Sequence, residues 1–147
     1  MLFGVVATMC ACSKVDMSTE PDVELQVNIS KITDEEYEEV RTMNLVNPTK
    51  EEFRNFEFIL NVNSDEISDE DVTIPEIKKI VNEYDDTERY WFGSSTQDNT
   101  RYSIEFVMYT KGLDRQDIKD MFSTADVKII FEDGEKIYNL GEALQFK

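Results

Sequence analysis

Tyr102-Ser103-Ile104-Glu105-Phe106-Val107-Met108-Tyr109 decides how this chain is read. Tyr102, Ile104, Phe106 and Met108 occupy alternate positions. Successive side chains of an extended strand point to opposite faces, so a period of two predicts a strand with one face in a core. The same period recurs upstream. Val23, Leu25, Val27 and Ile29 alternate with Glu24, Gln26, Asn28 and Ser30, while Phe56, Phe58, Leu60 and Val62 alternate with Glu57, Ile59 and Asn61. Two further strands are predicted there, the second of them central. Downstream, Val127, Ile129 and Phe131 are set to pair across Asp133-Gly134 with Ile137-Tyr138-Asn139-Leu140, a tight hairpin signal. Val72-Thr73-Ile74 and Arg89-Tyr90-Trp91-Phe92-Gly93 read as shorter strands, and Leu144 and Phe146 close the chain.

Helical signals fall between these strands. Thr33-Asp34-Glu35-Glu36 has the capping-box pattern, with Ile32 and Tyr37 spaced as a hydrophobic staple, which predicts a short helix from Asp34 toward Arg41. Tyr37, Val40 and Met43 would face inward. Pro75 precedes Ile77, Ile80, Val81 and Tyr84 at helical spacing, predicting one or two turns, with a strand as the alternative. Asp114 caps a helix running to Phe122, stapled by Leu113 and Ile118. Short connections between short strands favour antiparallel neighbours. The expected fold is mainly β, an antiparallel β-sandwich of about seven strands with two or three short helices in the connections.

Composition narrows the function. With 147 residues and 40% hydrophobic content, the chain has room for one packed domain. Its 32 Asp and Glu against 15 Lys and Arg give a net charge of −17, which argues against nucleic acid, whose phosphates require clustered cations. There is no histidine, so Ser-His-Asp and Cys-His activation and imidazole-based zinc sites are excluded. The acidic run from Asn63 to Asp71 lacks the alternating Asp-x-Asp-x-Asp-Gly pattern of a calcium loop and reads as a solvated loop. No metal or cofactor is expected.

Two sets of side chains remain as candidates. Tyr90 and Trp91, beside the loop from Gln97 through Asp98 and Asn99 to Arg101, would serve a small-ligand or glycan receptor if exposed, and otherwise are core or strand-face aromatics. Glu57 and Glu105 would serve a carboxylate-dependent hydrolase if one were desolvated against aromatics, and otherwise lie on the polar faces of their strands.

The first twelve residues, Met1-Leu2-Phe3-Gly4-Val5-Val6-Ala7-Thr8-Met9-Cys10-Ala11-Cys12, carry no charge. They have the look of an export signal, too short to cross a bilayer as a helix. Met9-Cys10-Ala11-Cys12 resembles the lipobox of bacterial lipoproteins, with Ala11 before the modified cysteine. The resemblance implies a diacylglyceryl group on Cys12, cleavage that leaves Cys12 as the new N-terminus, and a lipid anchor on the extracytoplasmic face of the cell membrane. Residues 13–22 then read as a tether, able to reach up to about 35 Å when extended, and residues 23–147 as the domain. The order of elements, and the tract NFEFILNVNS (residues 55–64), is similar to the immunoglobulin-like domains of small lipoproteins from Gram-positive bacteria of the Bacillus type. That family lends no activity. The expected function is a non-enzymatic interaction module, offering loops or an edge strand to another envelope protein.

Overall fold

The structure, a computed structural model, describes residues 21–43 and 48–147. Strand β1 (Asp22–Lys31) is followed by α1 (Asp34–Met43), β2 (Phe53–Asn63), β3 (Val72–Thr73) and α2 (Ile77–Glu83). Then come β4 (Tyr90–Gln97), β5 (Arg101–Tyr109), α3 (Arg115–Phe122), β6 (Asp126–Phe131), β7 (Gly134–Asn139), α4 (Leu140–Ala143) and β8 (Leu144–Phe146). The strands form a five-stranded sheet, in the order β4-β5-β2-β1-β8, and a three-stranded sheet, in the order β3-β6-β7. The expected mainly β, two-sheet architecture is therefore present, with β2 central in the larger sheet. Asp22, read as the end of the tether, already pairs with Asn63 in β1.

One apolar core joins the two sheets. Val27, Ile29, Phe56, Phe58, Leu60, Phe106 and Met108 of the larger sheet meet Val127 and Ile129 of the smaller one, with Ile118, Met121 and Phe122 of α3 and Leu140 closing the same cluster. Register explains the alignment. Phe56 pairs with Ile29 on one side and Phe106 on the other, and Phe58 with Val27 and Ile104, so all the alternating apolar sets fall on one face. The rings of Phe56, Phe106 and Phe122 stack with centroids 4.7 and 4.9 Å apart. Each fully buried phenylalanine of this kind contributes about 1.5–3 kcal/mol.

The opposite face of the larger sheet is polar over most of its area and is covered at one end by α1. There Ile32, Val40, Phe53 and Val107 form a second cluster, joined by Tyr37, Trp91, Phe92 and Tyr109. The capping box forms as expected: the Thr33 N–H donates to Glu36 Oε1 at 2.8 Å and the Glu36 N–H to Thr33 Oγ1 at 3.0 Å. Glu36 does a second job, since the buried Asn55 amide donates to its Oε2 at 2.7 Å and fastens the helix to β2. Met43, expected inward, is 50% exposed because it sits past the last buried turn of α1.

Three details differ from expectation. Leu140 belongs to α4 rather than to the last hairpin strand, because Asn139 accepts from the Glu142 N–H and caps a helical turn. Leu144–Phe146, read only as the chain's close, is an eighth strand, and it pairs with β1 in parallel, so not every pairing is antiparallel. The residues between the final pair Phe131–Gly134 are Glu132 and Asp133, one position earlier than the Asp-Gly signal indicated. Among the described residues, no helix is long and apolar enough to cross a membrane.

Candidate functional site: the free edge at β4

Among the described residues, strand β4 forms one border of the larger sheet and pairs only with β5. The pairing is irregular at its start: Tyr90 opposes Met108 and Phe92 opposes Val107, which leaves Trp91 as the extra residue of a bulge. The bulge sends neighbouring aromatics to different clusters. Tyr90 tilts over Phe106 at 5.0 Å on the core side, where the Lys78 ammonium lies 4.7 Å from its ring centre. Trp91 stands edge-on to Phe53 at 5.4 Å in the second cluster. The two candidate aromatics therefore do not form one stacking platform. The Trp91 indole N–H is buried without a hydrogen-bond partner among the described residues.

Past the bulge, Gly93, Ser94, Ser95, Thr96 and Gln97 are all exposed. The hairpin that follows is tighter than the loop expected from Gln97 to Arg101. Asp98 and Arg101 exchange backbone hydrogen bonds of 2.9 and 3.0 Å, and only Asn99 and Thr100 lie between them, both at positive φ. This fixes the ladder. In an antiparallel pair hydrogen-bonded and non-hydrogen-bonded positions alternate, so Gln97, Ser95 and Gly93 turn their N–H and C=O groups away from β5. At the Tyr90 end, by contrast, the edge is closed: the Asn82 side chain of α2 accepts from the Arg89 and Tyr90 N–H groups at 2.8 Å.

The core-side face of β4 is open as well. Between β4 and α2 lies a groove of about 720 Å³ whose floor includes Tyr90, Gly93, Ile104 and Phe106 and whose wall includes Ile77 and Lys78. A second groove of about 410 Å³ shares Ser95 and Ile104 with it and continues past Gln97 toward Ile74 and Asp69. The space exists because Gly93 and Ser95 put almost no side chain into it.

At the hairpin end, the acidic run and the Asp98–Arg101 turn come together around a cleft of about 780 Å³. Asp69 is not merely solvated there. Its carboxylate accepts from the Tyr102 hydroxyl at 2.7 Å and the Thr100 N–H at 2.9 Å, and those hydrogen bonds hold its pKa below the ordinary value. Burial, reinforced by that carboxylate, pushes the Tyr102 phenol up. No group of three or more acidic, histidine or cysteine side chains among the described residues is placed to hold a metal ion.

Glu57 and Glu105 are brought directly opposite each other, on β2 and β5. They stand on the polar face, where Glu105 is exposed and Glu57 receives the Asn28 amide at 3.3 Å. Cys12, the expected lipid-attachment residue, lies outside the described residues, as does Cys10. Gly-Ser-Ser-Thr-Gln has no alternation to mark a strand, so the sequence carries no local signal for the open edge. No family model, curated protein or solved structure matches this chain.

Proposed function

We propose that this chain is a membrane-anchored extracytoplasmic lipoprotein whose immunoglobulin-like sandwich is a non-enzymatic interaction module. Cys12 carries the lipid, and the residues from Ser13 to Glu20 hold the module near the membrane as a tether toward an envelope protein partner. The support for the anchor is the Met9-Cys10-Ala11-Cys12 sequence at the end of an uncharged apolar run. Two acyl chains, as that resemblance implies, suffice for stable attachment, whereas a single chain binds only marginally.

The observation that carries the interaction reading is the border at β4. Outward-turned backbone groups at Gly93, Ser95 and Gln97 beside an unfilled groove form a template for strand addition. The reading is tested in two steps. The N-terminal peptide, isolated from membranes of cells expressing the natural gene, should begin at Cys12 and carry the mass of a diacylglyceryl group. An uncut, unmodified N-terminus in the soluble fraction would remove the anchor. A photo-crosslinking amino acid at Ser95 should then capture a protein in living cells more strongly than one at Gln26, on the polar face of β1. Equal capture at both positions would remove the edge as the working surface.

A further inference from the structure

We infer that the protein bound at β4 is a second copy of this chain, paired antiparallel about a twofold axis at Ser95. The inference rests on the reading of β4 as an interaction edge and adds the identity of the occupant.

The sheet borders differ in how they are protected. In the larger sheet the far border, β8, is three residues long. In the smaller sheet β3 has two residues, and β7 carries Glu135 and Lys136. Short or charged borders are the ordinary means by which sheets avoid pairing with other chains. Strand β4 is eight residues long and has no charged residue and no proline. Its bulge protects only the Tyr90 end.

The free groups are self-complementary. With the axis at Ser95, Ser95 faces the partner's Ser95 and Gly93 faces the partner's Gln97, the same residues that turn their backbone groups outward. Each such pair exchanges two hydrogen bonds. The flanking side chains Ser94 and Thr96 are small enough for two strands to approach to the usual spacing of about 4.8 Å.

Charge points the same way. A chain of net charge −17 repels its copy over most of its surface, but β4 itself is neutral and Lys78 and Lys79 offset Glu76 and Glu83 in the groove beside it. Asp98 lies just past the other end of the strand. The twofold axis sets Asp98 opposite the partner's Phe92, on the face of the sheet away from Lys78. An isologous interface needs this arrangement, each end of a patch meeting the opposite end of its copy.

The test uses the full chain purified from membranes in detergent. Ser95→Cys should form, on mild oxidation, a disulfide linking two copies through position 95, identified by the mass of the linked peptide. A hydrogen-bonded antiparallel pair has Cα atoms about 5.5 Å apart, within disulfide range. Gln26→Cys should not form one. The wild type should sediment at twice the chain mass and Ser95→Pro at the chain mass, with unchanged circular dichroism, because the lost N–H is one that β5 does not use. A wild type that is monomeric at about 100 μM, or equal disulfide yields at positions 95 and 26, would overturn the inference. Capture of a different protein at Ser95 in cells would overturn it while leaving the interaction reading standing. Capture of nothing would remove both.

Discussion

Glu57 and Glu105 face each other across the β2–β5 ladder, two carboxylates at directly paired positions on the open face of the larger sheet. Like charges at paired positions destabilise a sheet by about 0.2–1 kcal/mol. Glu105→Thr should therefore raise the urea midpoint, and the gain should shrink as salt screens the repulsion. A midpoint lowered at every salt concentration would mean that the pair is held for some purpose other than folding.

Arg89 and Asp85 supply a pH-dependent clasp. The buried guanidinium donates through Nε to Asp85 Oδ1 at 3.1 Å and through Nη2 to Oδ2 at 2.6 Å, and Nη1 donates to the Tyr109 carbonyl at 3.0 Å. Hydrogen bonding by Arg89 lowers the Asp85 pKa from 3.8 to about 2. The carboxylate thus stabilises the fold above its unfolded pKa, and that contribution is lost as the pH falls through about 2. The stability difference between wild type and Asp85→Asn should be constant from neutral pH to about 5, shrink progressively below that, and vanish only below about 2. A difference that persists at the acid end would assign the effect to packing.

Tyr102 and Asp69 behave in the opposite sense. With its pKa raised above the ordinary 10.0, the phenol favours the fold while neutral, so its contribution is complete below pH 10 and disappears as the pH rises beyond it. Tyr102→Phe should cost about 1 kcal/mol at neutral pH and flatten the alkaline loss. The same carboxylate holds the Thr100 N–H, and Thr100 has φ of 63°, an unusual conformation for a β-branched residue. Asp69→Ala should therefore increase amide exchange at Thr100 more than at Ser103.

Gly93 is required by contact rather than by backbone freedom. A Cβ at this position would press on the Glu105 carbonyl and the Phe106 Cβ, and would lie 2.6 Å from the Phe106 Cα. Gly93→Ala should destabilise the domain by about 1–3 kcal/mol, as overpacking does, whereas Ser94→Ala, one position along, should be near neutral. Equal effects would show that β4 can shift away from β5 freely.

Trp91, the single tryptophan, reports on the second cluster. Its fluorescence should have the short-wavelength maximum of a shielded indole, and Phe53→Ala should move that maximum to the red while costing about 3–5 kcal/mol. A wild-type maximum typical of an indole in water would mean that Trp91 stands outside the second cluster.

The sequence by itself determined the strands that one core face can mark. In Val23–Ile29, Phe56–Val62, Tyr102–Met108 and Val127–Phe131 the apolar period of two is complete, and burial of one face imposes that period. It also determined the α1 and α3 starts, because a capping box is a contact between residues three apart and needs no tertiary information. Tertiary structure alone decided the rest. That Glu57 meets Glu105, that Asp69 reaches Tyr102, and that Leu144–Phe146 returns beside β1 are pairings across many residues, fixed by how sheets register rather than by local pattern. Strand β4 is the sharpest case: Gly93–Gln97 lacks the alternation because its core-side face is not covered, and the same lack of cover leaves the edge open.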